Sequence, residues 1–185
     1  MGRLVYTTIC SLDGYTADAA GGFDWAMPDE EEHAFVNDLE RSLGTYLYGR
    51  RMYETMAVWQ DVDGPDVSPV ENDYAKVWRA ADKVVFSTTL TGVSTPRTRL
   101  ERVFDPQQVR RLVADAERDV GLGGSTLAAH AVRAGLVEEL TLFLHPVVVG
   151  GGTRALPDDV RLDLELVDEH RFASGVVQLR YTVRT

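Results

Sequence analysis

The stretch from Gly123 to Gly152 constrains the fold of this chain more than any other segment. It opens with the pair Gly123-Gly124, continues through a helix-forming segment, and crosses an almost unbroken apolar run to the turn Gly150-Gly151-Gly152. Glycines at the start of a helix let backbone amides approach an anion closely, and the helix dipole favours negative charge there. A buried apolar strand after such a helix is typical of a βαβ-like unit. The stretch therefore predicts an α/β fold with a phosphate-binding turn, which suggests a nucleotide cofactor.

Composition narrows the class of protein. The 185 residues, 44% of them apolar, predict a single domain over 1–185. The formal net charge of −10 argues against nucleic acid and anionic membranes as partners. Cys10 is the only cysteine, lies in an apolar run and is expected to be buried, so no disulfide and no metal site are predicted. Without a signal peptide or a membrane-spanning run in the sequence, we expect a cytoplasmic protein.

The remaining apolar periodicity predicts strands that alternate with helices. Strands are predicted over 4–10, 45–48, 83–86, 100–104, 120–122 and 140–149, and helices over 28–42, 52–58, 73–81 and 105–118. Residues 61–72 are rich in Asp, Pro and Gly and predict a surface loop. The runs 162–172 and 176–183 predict an antiparallel hairpin, so the sheet should be mixed rather than all parallel.

Polar and glycine-containing turns follow three of the predicted strands. They are Gly49-Arg50-Arg51, Ser87-Thr88-Thr89 and Gly123-Gly124-Ser125-Thr126. Ligands of open α/β sheets bind outside the carboxyl ends of strands, and arginine suits bidentate phosphate recognition. The three turns together therefore predict a nucleotide site, although a single Gly-Arg pair commonly does no more than cap a helix.

Candidate substrate-site residues cluster near the mouth of this predicted site. Asp13, Trp25, Glu32, His33 and Tyr53 are the polar or aromatic candidates. Each also has a simpler structural explanation: Asp13 precedes Gly14 and can stabilise a turn, and the acids that precede His33 suit the start of a helix. The four histidines have no metal-ligand spacing, and His145 beside a buried strand is more often a core or edge residue.

These motifs, taken in order, resemble those of the dihydrofolate reductase superfamily, in the branch formed by the reductase domain of bifunctional riboflavin-biosynthesis deaminase/reductases. The resemblance is carried by Ser11-Leu12-Asp13-Gly14, the segment 48–54, Ser87-Thr88-Thr89 and, most specifically, the block 123–152. It implies a three-layer α/β/α sandwich with a mixed, mostly parallel sheet and a C-terminal antiparallel hairpin. It also implies that NADPH delivers hydride to a small heterocyclic or sugar-imine substrate, such as the ribosylaminopyrimidine intermediate of riboflavin biosynthesis.

The resemblance also implies roles for individual residues. At the pyrophosphate, the cofactor would be held by Gly123, Gly124, Ser125, Thr126 and Leu127. At the adenosine 2′-phosphate it would be held by Ser87, Thr88 and Thr89. The turn Gly49-Arg50-Arg51 would contact the pyrophosphate and the adenosine phosphate side. Proton delivery is assigned first to Asp13 and second to Glu32. Trp25 and Tyr53 would shape the substrate pocket, and the loop 14–22 would act as a lid.

Departures from the family pattern leave alternatives open. Dihydrofolate reductases place one buried acid on their first helix, whereas the run Glu30-Glu31-Glu32 offers no single matching position, so folate reduction is not expected. A zinc deaminase centre needs more cysteine than this sequence contains. The alternatives are a catalytically idle dinucleotide-binding protein, a pterin reductase and, less well supported, a flavodoxin-like flavin protein. A homodimer is expected on general grounds.

Overall fold

The computed structural model describes residues 1–184 and contains one main sheet. Strands β1 to β10 cover, in chain order, Leu4–Ser11, Tyr15–Ala17, Leu43–Gly49, Asp82–Phe86, Thr98–Glu101, Asp119–Gly123, Glu139–His145, Thr153–Arg154, Leu164–Arg171 and Val177–Val183. Helices α1 to α5 cover Glu30–Glu40, Arg50–Met56, Pro69–Ala80, Pro106–Asp115 and Ser125–Arg133. Within the described residues, no helix combines the length and apolar character needed to cross a bilayer.

The main sheet has the order β5-β4-β3-β6-β1-β7-β10-β9. Neighbouring strands from β5 to β7 run parallel, whereas β10 lies antiparallel to both β7 and β9. The predicted mixed, mostly parallel sheet with a C-terminal antiparallel hairpin is therefore confirmed. The tight turn that joins β9 to β10 explains why this last pair cannot be parallel.

Helices cover both faces of the sheet, which gives three layers. Along β3 the side chains alternate: Leu47 packs into a core that includes α4 and α5 residues, whereas Tyr46 and Tyr48 pack into another core with Trp78 of α3. Helix α1 packs through Phe35 against the β7 and hairpin end of the sheet. The α/β/α sandwich expected from the resemblance is thus the observed fold.

The predicted helix 73–81 begins too late. Helix α3 starts at Pro69, because the Ser68 hydroxyl accepts a hydrogen bond from the Glu71 amide and the Glu71 carboxylate accepts one from the Ser68 amide. This capping box, with proline in the first turn, is a strong helix start that the prediction of a loop through Asn72 overlooked.

One further expectation needs correction on the β7 side. Strand β7 ends at His145 rather than continuing to Val149, since Pro146 follows and cannot donate a ladder hydrogen bond.

The loop 14–22, predicted to act as a lid, contains strand β2, which pairs with β8. Within the loop, the Asp18 carboxylate accepts a hydrogen bond from the Gly22 amide. Its movement as a lid stays a prediction.

Cys10 lies on β1 and is buried, as predicted. Burial raises the pKa of its thiol to about 11. The thiol is therefore protonated at neutral pH and serves as a small apolar side chain.

Candidate active site

The three turns predicted to hold a cofactor meet at one edge of the sheet. Strands β4, β3 and β6 are parallel neighbours, so their carboxyl ends lie side by side. In the register, Gly49 pairs with Phe86 and Tyr48 pairs with Gly123. The structure therefore brings the turns after Gly49, Phe86 and Gly123 together, as the sequence predicted.

Two helices begin at this edge, α2 after Gly49 and α5 after Gly124, and within residues 1–184 neither has a side-chain cap. Helices α1, α3 and α4, in contrast, each have an N-cap side chain that accepts a hydrogen bond from a backbone amide; these side chains belong to Asp29, Ser68 and Asp105. Helix α5 is the longer of the two uncapped helices and begins at Ser125. Its first amides are therefore free to donate to an anion.

The glycines at this edge also satisfy packing requirements that the sequence did not reveal. A Cβ on Gly123 would come within 2.6 Å of the Tyr48 ring, and Gly124 adopts a φ of +93° beside Met52. A Cβ on Gly49 would meet Leu127 at 3.8 Å, so α5 lies against the turn after β3. Glycine is therefore needed at 123 and 124 whether or not a ligand approaches, whereas position 49 has room for a Cβ.

Arginine side chains reach the turn after β4. Arg50 donates to Thr89 Oγ1 at 3.1 Å and forms an ion pair with Glu54 at 2.8 Å. The backbone amide of Thr89 donates to the Ser87 hydroxyl at 3.2 Å. Arg102, which was not among the predicted site residues, donates to the Ser87 carbonyl at 3.2 Å. Its position just past β5, the strand beside β4, was the available signal.

The other predicted cofactor residues differ in accessibility. Arg51, Thr88 and Thr126 are exposed at the edge, and the Ser125 hydroxyl lies 3.4 Å from that of Thr16. Leu127 is buried in the core. Its side chain therefore packs the helix, and only its backbone amide suits a role towards a cofactor.

A cleft of about 270 Å³ lies at the carboxyl end of β7, beside the start of α1. It is lined by Trp25, Met27, Asp29, Glu32, His145, Pro146, Val147, Ser174 and Val176. Trp25 and Glu32, two of the predicted site residues, thus share this cleft. The indole N–H of Trp25 finds no acceptor in the described part of the chain, an uncommon state for a buried donor.

Glu32 and His145 form a buried pair at this cleft. Glu32 is 1% exposed and His145 is 6% exposed. His145 Nε2 lies 3.1 Å from Glu32 Oε1, and His145 Nδ1 lies 3.1 Å from the Trp25 carbonyl oxygen. Because a carbonyl can only accept, Nδ1 donates, and a second proton must lie between Nε2 and Oε1 for those atoms to bond. The hydrogen bond between Glu32 and His145 therefore holds one proton at the wall of the cleft.

This geometry changes two interpretations of the sequence. Within the run Glu30-Glu31-Glu32, Glu32 alone is buried, whereas Glu30 and Glu31 are exposed. The run therefore provides one inward-facing acid, contrary to the expectation from the sequence. Glu40, at the end of the same helix, is a second acid whose pKa burial raises. His145, regarded as a core or edge residue, is a partner of Glu32. The helical periodicity that turns Glu32 towards Phe35 and Val36 was the signal that identifies the inward acid.

Asp13 is held by three donors. Its carboxylate accepts from the Ser11 hydroxyl at 2.7 Å, from the Gly150 amide at 2.8 Å and from the Val149 amide at 3.2 Å. The Ser11 hydrogen bond, with those amides, lowers the pKa of Asp13 below its ordinary value. The geometry favours a role in positioning the loop after β7 over proton donation.

Tyr53 lies apart from the cleft. It is 4% exposed, and its hydroxyl accepts from the amides of Ser94 and Thr95 at 2.9 and 3.2 Å. Its ring packs in the core with Tyr48 and Trp78. The structure thus places Tyr53 as a support for the loop after β4 and not as a wall of the cleft.

A second cleft, of about 280 Å³, extends along α5 from Ser125 and Thr126 to Arg133. Two arginines line it, and each is paired with an aspartate: Arg133 with Asp159 at 2.8 Å and Arg154 with Asp158 at 2.7 Å. The cleft continues the cofactor edge of the sheet. Its cationic charge is balanced within the cleft itself.

Strand order, layers and the C-terminal hairpin define a dihydrofolate reductase-like α/β/α fold. Residues 3–178 match the family model of the RibD C-terminal domain. The chain therefore belongs to the RibD C-terminal domain family. It is also similar to the uncharacterized protein YyaP of Bacillus subtilis (strain 168). The two are 29% identical over an alignment 185 residues long, which covers 97% of this chain and 94% of YyaP.

Solved structures share this fold. A putative riboflavin biosynthesis protein from Shewanella sp. PV-4 superposes with a TM-score of 0.75 at 20% identity, covering 99% of both chains. A pyrimidine reductase-like protein from Corynebacterium diphtheriae has a TM-score of 0.69 at 14% identity and covers 100% of this chain and 92% of its own. The bifunctional deaminase/reductase of Thermotoga maritima has a TM-score of 0.65 at 15% identity; the match covers 99% of this chain and 57% of that longer one.

Proposed function

We propose that this protein is an NADPH-dependent reductase that adds hydride to a C=N or C=O carbon of a small heterocyclic or sugar-imine substrate. Membership of the RibD C-terminal domain family supports a reductase. The choice of NADPH and the type of acceptor are our inference from the two neighbouring parts of the site. One part suits phosphates, and the other suits a small planar substrate.

The edge formed by β3, β4 and β6 fits a dinucleotide. The free amides at the start of α5, from Gly124 to Leu127, and the turn Gly49-Arg50-Arg51 beside them would hold the pyrophosphate. Arg50 and Arg102, with the hydroxyls of Ser87 and Thr89, would hold the adenosine 2′-phosphate that distinguishes NADPH from NADH. Bound there, the reduced nicotinamide supplies the hydride.

The cleft beside α1 would hold the substrate. Trp25, Pro146 and Val176 give it apolar walls that orient a flat molecule and exclude water. Addition of hydride to carbon leaves a negative charge on the attached nitrogen or oxygen, and one proton must follow. The proton between Glu32 Oε1 and His145 Nε2 is positioned to serve, which leaves the pair anionic until it takes a proton from water.

The single observation that carries the cofactor assignment is the uncapped start of α5 beside Arg50, at an edge where parallel strands end. Calorimetric titration of the purified protein, with NADPH and separately with NADH, tests the cofactor assignment. We expect one saturable NADPH site and binding of NADH that is weaker by at least about tenfold, the value of one charge-assisted contact. Equal affinities for NADPH and NADH would contradict the proposed 2′-phosphate contacts. If neither cofactor bound, the proposed function would be contradicted as a whole.

A pterin reductase is the second candidate. The buried acid Glu32 on the first helix is the specific observation in its favour, because dihydrofolate reductases place one buried acid on that helix. Reduction of dihydrofolate by the NADPH-loaded protein would favour this candidate. A catalytically idle dinucleotide-binding protein would bind NADPH and reduce no pterin, pyrimidine or imine.

A further inference from the structure

We infer that Glu54 limits how strongly this protein selects NADPH over NADH, because its carboxylate holds the guanidinium group of Arg50 and balances the charge that would attract the adenosine 2′-phosphate. This inference rests on the proposed function, since it concerns the cofactor part of the same site. It makes Glu54 a positioning residue that affects cofactor specificity through Arg50.

The side chain of Arg50 is fixed by two neighbours. Its Nε donates to Glu54 Oε1 at 2.8 Å, and its Nη1 donates to Thr89 Oγ1 at 3.1 Å. Within residues 1–184, Nη2 makes no hydrogen bond to another residue, and the side chain is 51% exposed. The guanidinium group is therefore held beside the turn after β4 with N–H groups left to bind an anion.

The stability of α2 does not explain this pair. Arg50 and Glu54 lie one turn apart on α2 with the cation nearer the amino terminus, which is the weaker of the two possible orders. The first turn of α2 contains Arg50 and Arg51 but no acid, although the helix dipole favours negative charge there. Both members of the pair are about half exposed, and exposed ion pairs contribute little to folding. The arrangement is better explained by what the guanidinium group binds.

The charges of the pair cancel where the 2′-phosphate would bind. A phosphate monoester carries nearly two negative charges at neutral pH. The Glu54 carboxylate lies within a Debye length of any anion held by Arg50, so it repels the phosphate that Arg50 attracts. NADH has a neutral hydroxyl group at this position, so its binding should depend little on this carboxylate.

Arg102 preserves part of the preference for NADPH. Its Nη1 donates to the carbonyl oxygens of Ser87 and Leu90, and no carboxylate within residues 1–184 forms an ion pair with it. The positive charge of Arg102 therefore stays unbalanced beside the turn after β4. Glu54 thus lowers the selectivity for NADPH without abolishing it.

Calorimetric titration of Glu54→Gln, with NADPH and separately with NADH, tests this inference. The glutamine amide oxygen can still accept a hydrogen bond from Arg50 Nε, so the contact is retained while the charge is removed. At low salt we expect the NADPH Kd to fall about fivefold and the NADH Kd to change less than about twofold. In about 0.5 M salt, the gain for NADPH should shrink to less than about twofold, because salt screens exposed charges.

Glu117→Gln is the matched control, because it makes the same charge change at an exposed residue just before β6, away from the carboxyl end of that strand. It should leave both Kd values unchanged. NADPH binding that is unchanged or weaker in Glu54→Gln overturns the inference, and so does an equal gain for both cofactors. If the wild-type protein binds neither cofactor, the proposed function fails before any variant is measured, and the inference fails with it.

Discussion

Glu32 Oε1 and His145 Nε2 lie 3.1 Å apart in a position where neither residue is more than 6% exposed. The Trp25 carbonyl fixes a proton on His145 Nδ1, so the hydrogen bond between Nε2 and Glu32 Oε1 holds one further proton that the two residues share. An acid on the first helix and a histidine at the end of a central strand thus form a single proton-holding unit.

Replacing Glu32 by glutamine should disable this unit without removing its hydrogen bond. The amide can donate to His145 Nε2, but it has no proton to give to substrate. We expect kcat to fall by about 10²–10⁴-fold with the NADPH Kd nearly unchanged, measured by steady-state kinetics and calorimetry. Glu30→Gln, on the same turn but exposed, is the control. Wild-type turnover in Glu32→Gln would exclude the pair from proton delivery.

Asp13→Asn should give a different result. The Ser11 hydroxyl and two backbone amides lower the pKa of Asp13, so its carboxylate stays ionised from neutral pH down past its ordinary pKa and has no proton to donate. We expect kcat to fall less than about tenfold, through displacement of the loop at Gly150, and the shape of the pH profile to be retained. A loss above about 100-fold with a changed pH profile would make Asp13 the proton donor.

Arg50→Ala should weaken cofactor binding selectively. The guanidinium group reaches Thr89 Oγ1 beside the predicted 2′-phosphate position, and a charge-assisted hydrogen bond contributes about 1.5–3 kcal/mol. The Kd for NADPH should rise roughly 10–100-fold, and that for NADH should rise less. Arg111→Ala, an exposed arginine on α4, should change neither value. An equal loss for both cofactors would place Arg50 at the pyrophosphate instead.

Lys83 should make the stability of the fold depend on pH. It is 1% exposed, donates to the Trp78 carbonyl at 3.0 Å, and burial lowers its pKa from 10.5 to about 8. Since the folded state binds this proton more weakly than the unfolded state, Lys83 lowers stability below pH 8. This cost, about 3 kcal/mol, is relieved as the pH rises from about 8 towards 10.5.

Lys83→Met should abolish the increase in the free energy of unfolding that Lys83 causes between about pH 8 and 10.5. Urea unfolding at several pH values between 7.5 and 10.5 measures it, and Lys76→Met, an exposed change on α3, should retain the wild-type dependence. A rise of unchanged size in Lys83→Met would show that Lys83 is not its source.

Gly152→Ala should destabilise the loop that faces the site. A Cβ there would lie 2.0 Å from the Ala17 carbonyl oxygen, and the φ of +132° is unfavourable for alanine. We expect a loss of about 3 kcal/mol in the free energy of unfolding, measured with urea. Gly150→Ala shares a positive φ but meets nothing within 4 Å, so about 1 kcal/mol is expected for it. Equal losses in both variants would show that the contact with Ala17 is not limiting.

Sequence patterns predicted the sheet well because its strands are local apolar runs. Leu47, Val84 and Leu122 lie on strands that were all predicted, and the hairpin 162–183 revealed the antiparallel edge. The start of α3 was missed because the signal at Ser68 and Glu71 lies inside a stretch rich in loop-forming residues. The pairing of β2 with β8 joins segments more than 130 residues apart and has no local signal.

The cofactor edge was predicted from the sequence and the Glu32–His145 pair was not, because only the former has local signals. Glycines and arginines after strands are local signals, and they identified the edge that includes Gly49 and Gly124. The partnership of Glu32 with His145 depends on α1 crossing the end of β7, which no spacing reveals. Tyr53 was misplaced because its hydroxyl is engaged by the loop at Ser94. The homodimer and the binding of NADPH stay predictions.

Backbone amide NMR during an NADPH titration tests the central claim most directly, because it reports where the cofactor binds. We predict saturable shifts that are largest at Arg50, Arg51 and the amides from Gly124 to Leu127, with the exposed C-terminal end of α4 unaffected. Saturable binding that shifts other amides and leaves the start of α5 unchanged, or no binding at all, would contradict the account.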